Sequence, residues 1–198
     1  REAALRDGSR VVRARAAAAL AAQKLEAPAP GEAAIDRPPL DYREALAPYD
    51  PSPEVPLFTP RAIVHTRHGP IEIHLNVVEA PLTVASFIDL ARRGFYNGLT
   101  FHRVVPHFVI QGGDPRGDGN GGPGYALRCE ITRRAYGRGA VGMALSGKDT
   151  GGSQWFITHS PQPHLNGRYT IFARVTRGMD VVWRVAQGDR VTKVDVLK

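Results

Sequence analysis

Arg103 is the residue whose chemistry is hardest to explain away. It sits in the run Phe101-His102-Arg103-Val104-Val105-Pro106-His107-Phe108-Val109-Ile110-Gln111-Gly112-Gly113-Asp114, where apolar residues surround it and a polar amide, Gln111, follows. A guanidinium is a permanent cation with a planar fork of donors, suited to holding a developing charge or lone pair. Placing it in an apolar strand without a task or partner is costly. Other chemistries fail on spacing. His102 and His107, like His159 and His164, are five apart and lack nearby cysteine or acidic ligands, so no metal site is expected. Gly117-Asp118-Gly119-Asn120-Gly121-Gly122 matches a dinucleotide-type G-x-G-x-x-G, but Pro123-Gly124 follows where a helix must begin, so the segment is a loop. Gly142 to Lys148 approaches a P-loop, yet Asp149 stands where a Ser or Thr is needed and would repel phosphate. Ser153 lacks the G-x-S-x-G frame of a hydrolase nucleophile. Cys129, the one cysteine, excludes an internal disulfide and reads as a small packed side chain.

The elements that must hold these residues are short. Residues 62–64 and 71–75 flank Gly69-Pro70 and predict a hairpin with its turn there. Val84, Phe87, Ile88 and Ala91 follow helical spacing over 81–93, with Gly94 just past the end. Strands are expected at 99–105, 108–111, 139–143, 154–158, 169–175 and 191–197. A second helix, 179–186, repeats the helical spacing through Met179, Val182, Trp183 and Ala186. Many short strands, glycine-rich turns and two helices predict an antiparallel barrel or sandwich.

Composition divides the 198 residues into three zones. Residues 1–26 are rich in Ala, Arg and Leu and predict a helix. Residues 27–60 hold nine of the sixteen prolines, which predicts an extended linker. Its Leu40, Tyr42, Leu46, Tyr49, Val55, Leu57 and Phe58 are too many apolar side chains for a solvated tether, so part of it is expected to pack on the following domain. Residues 61–198 carry 18 Lys and Arg against 10 Asp and Glu, whereas residues 1–60 carry 8 against 9. The basic excess is scattered rather than striped, which argues against nucleic-acid binding. No apolar run approaches the ~18 residues of a membrane span. Twenty-two arginines against four lysines point to a bacterial source, in cytoplasm or cell envelope, and a start at Arg1 rather than Met reads as not the native one.

Four segments, in order, carry a resemblance to a known family. They are the 101–114 run, Val141-Gly142-Met143-Ala144, Gly152-Ser153-Gln154-Trp155-Phe156-Ile157-Thr158, and Leu165-Asn166-Gly167-Arg168-Tyr169-Thr170-Ile171-Phe172. Together they resemble cyclophilins, peptidyl-prolyl cis–trans isomerases, over residues 61–198. The resemblance implies a mainly β fold, a closed eight-stranded antiparallel barrel capped by two helices, here preceded by the N-terminal helix and Pro-rich linker. It implies that Arg103, Phe108 and Gln111 are catalytic, with Arg103 donating to the prolyl nitrogen and Gln111 positioning it. It also implies that Val109, Phe156 and Leu165 line an apolar proline pocket, while Ala144, Leu145 and Gln154 lie along the groove where backbone groups meet an extended peptide. No cofactor or metal is needed, and the partners are proline-containing segments of client proteins. Alternatives are a peptide-binding module of this fold with little turnover, and a scaffold dominated by residues 1–60. Taken singly, the phenylalanines would be core aromatics and Gln111 a turn cap. There are departures from the family: His164 replaces a usual Trp at the pocket rim, Tyr169 stands for a frequent His, Leu145 for a more usual Asn and His107 for a Gly. They leave the arginine and pocket intact but predict weak binding of cyclosporin-type ligands. Within 1–26, Val12-Arg13 followed by Ala16, Ala17, Ala19 and Leu20 also resembles the second helix of a HEAT-type repeat, the end of a preceding helical-repeat region; the alternative is an Ala-rich helix packed on the domain.

Overall fold

The computed structural model describes Ala47 and residues 60–197. The expected helix at 1–26, the packing of the linker and the HEAT-like reading therefore lie outside the described residues. In chain order the elements are β1 (Arg61–Thr66), β2 (Gly69–Leu75), α1 (Pro81–Arg92), β3 (Arg103–Val105), β4 (Val109–Gly112), β5 (Ala140–Met143), β6 (Trp155–Thr158), a 3-10 turn (Pro163–Leu165), β7 (Ile171–Arg177), α2 (Met179–Arg184) and β8 (Val191–Leu197). All the pairings are antiparallel, in the order β3-β4-β6-β5-β7-β2-β1-β8.

The barrel expectation needs correcting at its seam. The sheet curls but stays open, because β3 and β8 share no ladder. β3 begins only at Arg103, past the residues that lie against the start of β8. The residues before it close part of the gap instead: Thr100 and Arg190 form an isolated bridge, and Phe101 N–H donates to the Asp189 carbonyl at 2.7 Å. The hairpin turn also moves, to Arg67-His68, with Gly69 and Pro70 already in β2. Thr66 causes this. Its hydroxyl donates to the Gly69 carbonyl at 2.9 Å and accepts from His68 N–H at 3.1 Å, and Gly69 supplies the φ of 123° that the exit requires.

Alternation along the strands sorts side chains to two sides. Val104, Ile110, Val141, Met143, Trp155, Ile157 and Phe172 face the main core, where Trp155 meets Phe87, Tyr96 and Phe101 edge-on at 5.9–6.4 Å. Val109, Ala140, Phe156 and Ile171 form a second cluster with Tyr136 and Leu165. Helix α1 buries eight of its residues, including the predicted Val84, Phe87, Ile88 and Ala91, so it plugs the sheet rather than lying on it. Ala80 cannot cap this helix. Glu130, from a distant loop, does so: its carboxylate accepts Leu82 N–H at 2.9 Å and Thr83 N–H at 2.8 Å. Helix α2 is shorter than predicted and buries Val181 and Val182. Trp183 is exposed, so the expected Met179-Val182-Trp183-Ala186 face is not the buried one. No described helix is long and apolar enough to cross a membrane.

Candidate active site

Register places the site residues in one row. Arg103 pairs with Gln111, Gln111 with Phe156, Phe156 with Gly142, and Gly142 with Ile171. Directly paired residues point to the same side of a sheet, so the row sets a cation, an amide and an aromatic ring beside one another on the face opposite the main core. Gly142 is required in this row, because a Cβ there would run into the Tyr136 hydroxyl and the Phe156 ring.

Around the row lies a cavity of about 120 Å³ lined by Arg103, Phe108, Val109, Gln111, Ala144, Leu145, Phe156, Leu165 and Tyr169. It is well below the ~300–1,000 Å³ of drug-sized pockets and suits one small apolar ring. Phe156 and Leu165 form its buried wall, and Tyr169 meets Phe156 edge-on at 5.9 Å. His164 is outside the cavity and stacks on Phe108 at 5.6 Å. Gln154 lines a second, adjoining cavity of about 200 Å³ that shares Gln111, Ala144 and Leu145 with the first. The Ala144 N–H is committed to the Gln154 carbonyl at 3.0 Å, so that donor is not open to a peptide.

A polar relay runs through the row. Arg103 Nη1 donates to Gln111 Oε1 at 3.3 Å, and Gln111 Nε2 donates to Gln154 Oε1 at 3.1 Å. Gln154 Nε2 in turn donates to the carbonyls of Gly119 and Gly121 at 3.0 and 2.9 Å. All donors point the same way, which fixes both amides and leaves Gln111 a second N–H. Arg103 is exposed, contrary to the argument from a buried charge, with its guanidinium 5.4 Å from the Phe108 ring centre. It has no ion pair among the described residues, so its donors are not neutralised by a carboxylate. Burial holds the neighbouring His102 imidazole below its ordinary pKa, against the pull of Asp114, so it adds no second cation at neutral pH.

Two positioning residues escaped the sequence reading. Buried Asp114 accepts N–H bonds from Arg116 at 2.8 Å and Gly119 at 2.5 Å, shaping the loop that receives Gln154. Its place right after Gln111-Gly112-Gly113 was the available signal. Tyr136 stacks behind Phe156 at 5.6 Å and donates to the Thr170 carbonyl at 3.3 Å; burial pushes its phenol far above the ordinary range. It lies in an irregular stretch with no periodicity to mark it. Ser153 is buried and donates to the Gly113 carbonyl at 2.6 Å, a structural bond. Cys129 is half-buried, and its sulfur accepts Asp149 N–H at 3.2 Å. No group of three or more potential metal ligands occurs among the described residues.

The fold is a single curled antiparallel sheet with a small apolar pocket and a guanidinium on its outer face. Comparison with known proteins gives the family. The cyclophilin type peptidyl-prolyl cis-trans isomerase/CLD family matches residues 61–198. Peptidyl-prolyl cis-trans isomerase B of Bacillus subtilis is 53% identical over 128 residues, covering 64% of this chain and 90% of that protein. A peptidyl-prolyl cis-trans isomerase of Synechococcus elongatus is 46% identical over 139 residues, 69% of this chain and 96% of that protein. A crystal structure of a Cryptosporidium parvum cyclophilin type peptidyl-prolyl cis-trans isomerase superposes with TM-score 0.67 at 29% identity, covering 71% of this chain and 99% of that one. This chain belongs to the cyclophilin-type peptidyl-prolyl cis-trans isomerases.

Proposed function

We propose that the pocket isomerises X–Pro bonds in client proteins, with Arg103 as the donor that stabilises the twisted amide. Rotation about the bond breaks amide resonance, a barrier of roughly 18–20 kcal/mol, and exchange unaided takes tens to hundreds of seconds. No bond forms or breaks, so no nucleophile, metal or cofactor is called for. As the amide twists, the prolyl nitrogen pyramidalises and gains a lone pair that a guanidinium N–H can reach. A rate near 1,000 per second requires removing roughly 6 kcal/mol. One preorganised donor contributes about 3–4 kcal/mol in a dry site, so the apolar wall must supply the rest by disfavouring the dipolar planar amide. Phe108, Val109, Phe156 and Leu165 provide that wall, Gln111 holds Arg103 and offers its second N–H to the substrate carbonyl, and Gln154, Ala144, Leu145, His164 and Tyr169 border the path of the peptide.

The observation that carries this reading is the paired row Arg103-Gln111-Phe156, which sets donor, amide and ring around one small cavity. A protease-coupled assay on a prolyl tetrapeptide tests it. Turnover well above the thermal rate is expected; binding without turnover would make the domain a peptide-binding module instead.

A further inference from the structure

Trp183 has no part in the core or the pocket. Its neighbours Val181 and Val182 on α2 are buried, while Trp183 is 41% exposed. It is nonetheless held in place. The His159 ring stacks on its face at 4.4 Å and 15°, and the His107 ring meets it edge-on at 5.4 Å. His107 adopts φ 60°, costly for a residue with a Cβ. Its carbonyl is pinned there by Ser160 Oγ at 2.5 Å and Gln162 Nε2 at 2.8 Å. The next residue, Phe108, lines the pocket.

Topology puts this ledge in line with the pocket. β4 and β6 run antiparallel through the Gln111–Phe156 pair. Beyond one end of these strands lie Gln154 and the 119–121 loop, which form the adjoining cavity. Beyond the other end lie the 106–108 turn and the 159–165 loop, with Trp183 packed against both. A chain that enters along the Gln154 side and places its proline in the pocket heads toward the end of the strands where His107 and Trp183 lie. The chain itself takes four residues from Gln111 to His107, so a peptide running alongside at about 3.3 Å per residue reaches the ledge roughly two to four residues from the proline.

We propose that Trp183 and His107 form a second client subsite, taking an aromatic or long aliphatic side chain of the same peptide on the side of the proline away from Gln154. The proposal rests on the reading of the pocket as the proline site. An indole already fixed by a stacked ring loses little freedom on binding, and a flat apolar face selects for rings and long chains rather than charge. A brace that merely stiffened the 106–108 turn would affect melting but not discriminate between peptides.

The test uses the full chain and a series of proline peptides in which Phe or Ala occupies each of four positions on either side of the proline. Affinity is read by calorimetry and occupancy by tryptophan emission, since Trp155 is buried in the core and Trp183 is not. The expected result is one register, two to four residues from the proline, at which Phe binds about three- to tenfold tighter than Ala and shifts the emission. Trp183→Ala should abolish that advantage and the shift, and Trp183→Phe should keep most of the advantage. No position with a Phe advantage, or an advantage that survives Trp183→Ala, overturns the subsite. In Arg103→Ala, isomerisation should fall on every peptide while the Phe advantage persists, so failure of the isomerase reading and failure of the subsite give different results.

Discussion

In the proposed mechanism Arg103 is the catalytic donor, and its exposure sets the size of the effect expected of it. The guanidinium is exposed, and among the described residues Gln111 and the Phe108 ring stand beside it. Its donors gain their full value only once a bound peptide has displaced surrounding water. Arg103→Ala should therefore lower kcat/KM on a prolyl tetrapeptide by about two decades, the low end for removing one preorganised donor, with the melting temperature unchanged. Arg103→Lys keeps the charge but loses the fork that reaches Gln111 and substrate together, and an intermediate rate is expected. A full rate in folded Arg103→Ala would remove Arg103 from the mechanism.

At the level of elements, two residues outside the pocket lining fix how elements meet, one beside the pocket and one at the start of α1. β5 can approach β6 closely only because Gly142 leaves room for the Phe156 ring and the Tyr136 hydroxyl. Gly142→Ala should cost about 1–3 kcal/mol of stability, the usual effect of overpacking, and raise KM because Phe156 must shift. Urea denaturation and steady-state kinetics would show both; an unperturbed KM would mean that the ring relaxes without disturbing the pocket. Helix α1 has no cap of its own and borrows Glu130. Glu130→Ala should cost about 1–2 kcal/mol in the same denaturation experiment, the range for losing a cap. A neutral result would show that packing alone holds the helix start.

Across the whole molecule, acid should weaken the fold in two stages. Burial keeps His102 and His159 below their ordinary pKa, whereas in the unfolded chain they protonate near pH 6.5. Between the unfolded and folded values the unfolded state binds more protons, so stability is full above about pH 6.5 and falls as pH drops below it. Asp189 acts lower. Burial pushes its carboxyl up, but Ala186 N–H, His68 and Arg67 outweigh that, and it stays below the ordinary value. Its contribution is present above about pH 4 and lost below. Melting temperatures from pH 8 to 3 should show both windows, and His159→Gln should flatten the upper one; a pH-independent melt from 8 to 5 would refute it. The N-terminal zones add a last expectation. Pro60 is buried and its carbonyl accepts Leu75 N–H at 2.8 Å, so a chain starting at Pro60 keeps that contact. If part of 40–58 packs on the domain, such a chain should melt several degrees lower than the whole, since burying even two of those apolar side chains is worth ~3 kcal/mol. Equal melting would show that the segment is a spacer.

Much of this was written locally in the sequence. Apolar spacing placed α1, and alternation or short apolar runs between glycine-rich turns placed all eight strands, because those signals depend on residues close in sequence. The ordered motifs around Arg103, Gln154 and Leu165 marked the residues that now line the cavity. Relations between distant segments were not legible. Nothing near Thr66 announced that its hydroxyl would close the hairpin early, and β6, buried on both faces, offered no alternation to show that Trp155 serves the core and Phe156 the pocket. The cap from Glu130, the stack of Tyr136 on Phe156, the open seam between β3 and β8, and the exposure of Arg103 and Trp183 all depend on which strand lies beside which. Local propensity does not encode that; it is settled when the sheet curls and each face finds its partner.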